Sequence, residues 1–265
     1  MSEPALVDLH CHLVPGVDDG ARDLQEGIAQ LLEFEQLGIR TVVTTPHLAA
    51  SAAHGRWRDE IEAAYAELAE AAAQECPGVS LGRSFEFRLD DPDSDLSDRS
   101  IGLGDGDRLL VEFPMLAIPA YPDRMLEIVI AADWVPVLAH PERYAGVERA
   151  YGWISRWREM GALMCVNAGS LWGEHGGEAQ RVVRRMLADG SVDLIASDNH
   201  ARPRRAATVR QAWDYLVEVG CEEQATLLTS SNPAAVLAGD RLTAVPSCEP
   251  HSGWVDRLRR FITGG

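Results

Sequence analysis

Imidazoles and carboxylates recur in this sequence where an enzyme built from alternating strands and helices would need them. His10 and His12 form a His-x-His pair closing the run ALVDLHCH. Side chains alternate along an extended segment, so both imidazoles fall on one side and can grip one cation, while Cys11 faces the core. Asp18 and Asp19 follow in the next loop; His47 ends TTPH, Glu86 lies in SFEF, Glu112 in LLVEFP, and His140 follows VPVLA. Asp198-Asn-His200 repeats the period-two spacing with a carboxylate and an imidazole. Five of the eight His in the chain belong to this set, a concentration that chance rarely produces. Glu86 and Glu112 sit among apolar neighbours, where a carboxylate must be neutral, paired or metal-bound because an isolated buried charge is very costly. A salt bridge to a core Arg would account for either Glu alone. It does not account for nine such groups gathered at one end of a fold. Nitrogen and oxygen donors without sulfur suit Mn, Fe or Zn rather than a cysteine-bound structural zinc. At three to four ligands per ion, nine groups accommodate three ions.

These positions matter because of the elements that would carry them. Apolar runs at Ala5–Leu9, Ile39–Thr45, Val79–Phe87, Arg108–Phe113, Val135–Ala139, Leu163–Asn167 and Val192–Ala196 read as strands buried on both faces. Amphipathic stretches lie between them at Asp23–Leu37, Arg56–Ala73, Tyr121–Ala132, Val147–Met160, Gly177–Ala188 and Ala206–Val219. In the first, Leu24, Ile28, Leu31, Leu32 and Phe34 form an apolar stripe, and Gly38 stands where a helix C-cap belongs. Roughly seven strands alternating with helices predict an α/β fold, a parallel (β/α) barrel, in which functional side chains come from the C-terminal ends of the strands. The candidate residues sit at those ends. Leu89–Asp107, rich in Asp, Ser and Gly, is expected to be an exposed loop; it does not meet the EF-hand spacing.

Composition narrows the chemistry. The chain has 265 residues and a formal net charge of −17, and its 24 basic residues are all Arg. The lack of Lys excludes Schiff-base chemistry and a P-loop lysine, and the acidity argues against a nucleic-acid partner. Five scattered Cys with no CxxC pair argue for a reducing compartment and against a disulfide framework. No Cys-x5-Arg phosphate loop is present. The N-terminus lacks the features of a signal peptide and no stretch is apolar enough to span a bilayer, so a cytoplasmic location is expected. Residues 1–245 are expected to form a single domain, and 246–265 a tail with a short helix, Trp254–Ile262, that either closes one end of the fold or lies on a membrane surface. His54 and His175 read as loop residues.

The segments DLHCHLVPGVDDG, TTPH, LLVEFP, VLAHPERY and ASDNH resemble motifs of the polymerase and histidinol phosphatase (PHP) superfamily. The similarity spans residues 5 to 240, including NPAAVLAG. Its HPERY and DDG elements match most closely the bacterial tyrosine-protein phosphatases associated with capsule and exopolysaccharide operons. The resemblance implies a distorted (β/α)7 TIM-like barrel, a trinuclear centre of divalent ions (Mn first, Fe or Zn otherwise) and hydrolysis of phosphotyrosine. Position by position, it implies one ion held by His10, His12, Glu86 and Asp198. A second falls to Glu86, Glu112 and His140, and a third to Asp19, His47 and His200. Asp18 becomes a turn or supporting residue, and Gly20 suits the tight geometry beside it. Water shared between two such ions loses a proton near neutral pH and attacks phosphorus. Arg143 would then clamp the phosphate as a bidentate donor. A second clamp falls to Arg202, which matches the family's Arg-Pro dipeptide, or to Arg205, which matches its spacing to the following helix. The expected substrate is the phosphorylated Tyr-rich tail of a polysaccharide-export kinase. A histidinol-phosphatase-like activity on small molecules and a PHP-type nuclease are the alternatives. The oligomeric state is left open.

Overall fold

The computed structural model describes residues 3–53, 55–202 and 206–248. His54, Arg205, His251 and the expected helix Trp254–Ile262 lie outside the described residues. The chain alternates as read: β1 (Leu6–Cys11), α1 (Leu24–Gln36), β2 (Ile39–Thr44), β3 (His47–Ala49), α2 (Arg56–Glu75), β4 (Ser80–Arg83), β5 (Glu86–Arg88), β6 (Arg108–Glu112), α3 (Pro122–Ala131), β7 (Val135–Ala139), α4 (Gly152–Glu159), β8 (Leu163–Asn167), α5 (Gly177–Ala188), β9 (Leu194–Ala196), α6 (Val209–Glu218), α7 (Glu222–Thr226) and α8 (Asn232–Ala238).

All strand pairs are parallel, as an alternating chain demands. They form two sheets, ordered β1-β2-β4 and β3-β5-β6-β7-β8-β9, rather than one continuous ladder. The expected strand Val79–Phe87 is therefore divided into β4 and β5, and an additional strand, β3, follows the expected Ile39–Thr45. Pro46 follows Thr45 and has no N–H to offer, so the ladder cannot run on through it. The Glu86 N–H bonds the carbonyls of Thr45 and Pro46 at this step, and the strands that follow, β3 and β5, pair in the other sheet. β1 also meets the segment beyond β9. Asp198 N–H donates to His10 O (2.8 Å) and His12 N–H to Asn199 O (2.7 Å). The Asp8 carboxylate, fully buried, accepts the Ser197 N–H at 3.0 Å.

The helices cover the sheets as amphipathic elements should. Asp23 caps α1 by accepting the Glu26 N–H, and Ile28, Leu31 and Phe34 are buried, each worth about 1.5–3 kcal/mol of transfer free energy. Leu24 and Leu32 of the expected stripe are only partly buried. Gly38 has φ +80°, the left-handed conformation that ends the helix.

Two expectations need correction. The loop 89–107 is not simply exposed. Leu96, Ile101 and Leu103 are buried, Trp134 Nε1 donates to Leu96 O (2.8 Å), and Arg58 pairs with Asp98 (2.6 Å). Scattered apolar residues anchor what composition alone makes polar. Cys221 and Cys248 form a disulfide with Cα atoms 6.0 Å apart, whereas Cys11, Cys76 and Cys165 are free and buried. The chain after α8 runs back so that Cys248 N–H reaches Leu187 O and Gln224 bonds the carbonyls of Pro246 and Ser247. That return brings together two Cys that no local spacing links. Among the described residues no helix is long and apolar enough to cross a membrane.

Candidate metal centre

The candidate side chains are delivered from strand ends and the segments beside them, Asp19 from the loop after β1. His10 lies in β1 and His12 just beyond it. His47 opens β3, Glu86 opens β5, Glu112 ends β6, His140 follows β7, and Asp198 and His200 follow β9. His140 (φ 37°) and Asp198 (φ 52°) have left-handed backbones, costing about 1–3 kcal/mol each. Backbone bonds hold them there: His140 N–H to Cys165 O and Asp198 N–H to His10 O, both 2.8 Å.

All nine expected ligands converge. Glu86 is central. Its Oε2 lies 3.2 Å from His10 Nε2, 3.3 Å from His12 Nε2 and 3.0 Å from His47 Nδ1. Its Oε1 lies 2.7 Å from His140 Nε2. Asp198 Oδ1 stands 3.6 Å from His10 Nε2, 3.4 Å from His12 Nε2 and 3.5 Å from His200 Nδ1. Glu112 approaches His47 Nδ1 (3.5 Å) and His140 Nε2 (4.0 Å). Asp19 Oδ1 lies 3.4 Å from His47 Nε2 and 3.3 Å from His200 Nε2. Three overlapping groups have ligand atoms close enough to share an ion: His10/His12/Glu86, His47/Glu86/Glu112 and His12/Asp19/His47/His200. The geometry thus places His47 in reach of two groups, not one.

The donor set fits metal. Ligands about 2.0–2.2 Å from an ion stand about 3–3.6 Å from each other, from octahedral to tetrahedral geometry. Nine of the eleven distances fall in that range; His140 Nε2 is instead hydrogen-bonded to Glu86 Oε1 (2.7 Å) and stands 4.0 Å from Glu112. Glu86 Oε2 is buried and surrounded by three imidazoles, yet it makes no hydrogen bond of good geometry among the described residues. Atoms aimed at a shared point rather than at one another behave this way. The electrostatics agree. Burial alone would raise the Glu86 and Asp198 carboxyls, but the neighbouring imidazoles, His10 foremost, hold both well below the usual carboxylate range. Burial likewise opposes charge on His12 and His47, and it is outweighed by Asp18, Asp198 and Glu86 around His12 and by Asp19, Glu112 and Glu86 around His47. Both imidazoles are pushed up. The cluster attracts positive charge strongly.

Supporting residues fix the ligands. Asp18 Oδ2 accepts from His12 Nδ1 (2.8 Å) and from the His47 N–H (3.2 Å), and its Oδ1 accepts the Gly20 N–H (2.9 Å). Such a carboxylate sets which imidazole nitrogen faces the metal. A Cβ on Gly20 would fall 2.1 Å from His12 O and 2.6 Å from His12 Cβ, so only glycine fits. Three further contributors escaped the sequence reading. Asn167, at the end of β8, donates to Asp198 Oδ2 at 2.7 Å. Glu142, buried in HPERY, accepts from the Asn167 N–H (2.9 Å) and the Ser170 hydroxyl (2.6 Å). Asp8 ties β1 to Ser197. Asn167 was findable by the strand-end rule and Asp8 by its period-two spacing from His10 and His12; Glu142 carries no such signal.

The arginines divide. Arg143 Nη1 donates to Asp198 Oδ2 at 2.6 Å and lines a cavity of about 410 Å³, together with Leu116, Tyr144, Glu174 and His175. Arg202 pairs with Glu26 of α1 (3.2 Å), which Arg22 also engages.

Residues 6–238 match the family model for capsular polysaccharide synthesis, CpsB/CapC. The chain belongs to the CpsB/CapC family. It is 26% identical over 246 residues to the tyrosine-protein phosphatase YwqE of Bacillus subtilis, covering 91% of this chain and 95% of that protein. It is 27% identical over 244 residues to the putative tyrosine-protein phosphatase CapC of Staphylococcus aureus, covering 90% and 93%. A solved structure from work on B. subtilis YwqE and Streptococcus pneumoniae CpsB, described as unique metal-dependent tyrosine phosphatases, superposes with a TM-score of 0.78. The match is at 24% identity over 93% of this chain and 100% of the other. This likeness carries the CpsB/CapC fold across nearly the whole chain.

Proposed function

We propose that this CpsB/CapC chain is a metal-dependent protein-tyrosine phosphatase, a phosphoric monoester hydrolase. The observation that carries the reading is the convergence of four carboxylates and five imidazoles on one strand-end face, with donor spacings that suit shared ions. Two parallel sheets joined by bonds between β1 and the segment after β9 support a distorted (β/α)7 barrel as one domain over residues 1–245, to which the Cys221–Cys248 disulfide also fastens 246–248. We assign three divalent ions, Mn first. His10, His12, Glu86 and Asp198 would hold one, Glu86, Glu112 and His140 the second, and Asp19, His47 and His200 the third. Bound there, such ions lower the pKa of water and offset the charge on phosphoryl oxygens.

The chain's own residues do the rest. Asp18 holds the His12 ring so that Nε2 faces the cluster. Asn167 and Arg143 together fix Asp198. A guanidinium carries five N–H donors, and the contact to Asp198 engages Nη1; Arg143 borders the cavity, where it can orient a phosphate. Arg202, held by Glu26, and Arg205 remain the candidates for a second clamp. The substrate we assign is a phosphotyrosine protein, the tail of a tyrosine kinase of polysaccharide export, in the cytoplasm.

Purified protein supplied with Mn should release phosphate from a phosphotyrosine peptide and contain bound metal by elemental analysis. His10→Ala should lose both. Retention of full activity and metal content by that variant would sink the metal-centre reading.

A further inference from the structure

The loop after β6 carries an unusual surface. Met115 is 94% exposed and Tyr121 77%, the two most exposed large apolar residues among those described. Met115 (φ 60°) and Leu116 (φ 48°) are consecutive left-handed residues, and neither is glycine. Such conformations persist only where the surroundings over-determine them. Here they do. The Ala145 N–H donates to Leu116 O (2.9 Å), Ala117 bridges Ala145, and the Phe113 N–H bonds the Tyr144 hydroxyl (3.0 Å). The loop that leaves Glu112 is thus riveted to the loop that carries His140, Arg143 and Tyr144.

The result is a wall. Leu116 packs on the core with part of its side chain and lines the same cavity as Arg143, His175 and Ala179. A cavity of about 410 Å³ lies in the range of small-ligand sites. It combines a cation beside the carboxylate–imidazole cluster with an apolar rim. That is the charge pattern of an aryl phosphate: an anionic head and a flat apolar body. Glu142, Glu174 and Glu178 also line the cavity, so an anionic head is favoured only beside Arg143.

We infer that Leu116, with Met115 at its edge, is the specificity-determining wall that receives the aromatic ring of phosphotyrosine while the phosphate lies toward Arg143. The inference rests on the phosphatase reading and adds where selection between aryl and alkyl esters is made. A ring gains from apolar contact with Leu and from the polarizable Met sulfur. A short alkyl ester such as phosphoserine does not reach that wall.

The test compares the full-length Mn-loaded protein with Leu116→Gly, Met115→Gly and the conservative Leu116→Met. Glycine accepts positive φ, so these variants relieve backbone strain instead of adding it. For phosphotyrosine, Leu116→Gly should raise KM and lower kcat/KM by about tenfold or more, with Met115→Gly smaller in the same direction. For phosphoserine, kcat/KM should change less than about twofold, and so should inhibition by inorganic phosphate. Leu116→Met should restore most of the aryl preference. Equal losses on both esters, or no change on either, would overturn the inference while leaving the phosphatase reading intact. A parent protein that hydrolyses neither ester overturns that reading and this inference with it.

Discussion

Gly20→Ala is the sharpest test of how the metal centre is held. The added methyl would lie 2.1 Å from His12 O, 2.6 Å from His12 Cβ and 2.8 Å from Asp18 Oδ1. Non-bonded Cβ contacts below 3.0 Å are essentially never seen, so the turn must retreat by about 1 Å, an overpacking cost of about 1–3 kcal/mol. The retreat stretches the Gly20 N–H bond to Asp18 and the Ala21 N–H bond to His12 O. Asp18 then loosens its hold on His12, and Asp19 moves away from His47 and His200. A misplacement of about 1 Å at reacting groups can cost about 10²-fold in rate. We expect kcat/KM on a phosphotyrosine peptide to fall by about that factor, metal content to drop, and the melting temperature to decrease. Gly152→Ala is the control. Its Cβ meets nothing within 4 Å, and it should be neutral or slightly stabilising. If Gly20→Ala matched the parent within about twofold in activity and metal content, close packing at this turn would not be what positions the His12 edge.

Arg143→Ala should lower kcat/KM by about 10²–10³-fold, because it borders the cavity and braces Asp198. Arg202→Ala, whose partner is Glu26, should cost less than about tenfold; equal losses in peptide assays would reassign Arg202 to the phosphate. Asp98 is held at about 2, first by the Ser100 N–H and then by the Ser100 hydroxyl and Arg58. Its folded-state pKa is depressed, so its stabilisation is present above the unfolded value near 4 and is lost as pH falls toward 2. Asp98→Ala should therefore cost about 1 kcal/mol at pH 7 in urea melts, the gap shrinking through that acid window; a gap independent of pH would refute the assignment. Cys248→Ser should cost up to about 3–4 kcal/mol, from loss of loop closure, and make stability insensitive to reductant.

Most of the centre was legible because barrel-like folds concentrate chemistry at strand ends, and imidazoles there are hard to explain otherwise. Asn167 obeys the same rule but was passed over because only imidazoles and carboxylates were weighed as ligands. His47 was expected in one group and reaches two, since a single ring exposes two nitrogens that spacing cannot tell apart. The division into two sheets turns on Pro46 and its missing N–H, a local cause visible only once the neighbouring strand is known. Arg202 matched a dipeptide, yet its partner Glu26 lies 176 residues earlier. The Cys221–Cys248 pair was missed for a similar reason. Contacts of this range depend on how the chain returns on itself, which periodicity does not encode.

The bonds joining β1 to the segment after β9 have a temporal side. Asp8 and Ser197 are 189 residues apart, and between them lies nearly every group of the centre. A ribosome adding about 5–20 residues per second needs about 10–40 s to cover that span. For most of that interval His10 and His12 have emerged without Asp198 or His200 to complete their cage. A nascent chain therefore carries only a fragment of the cage, and hydrolytic competence switches on only after residue 200 has emerged. Proteolytic fragments that stop short of residue 200 should be inert for the same reason.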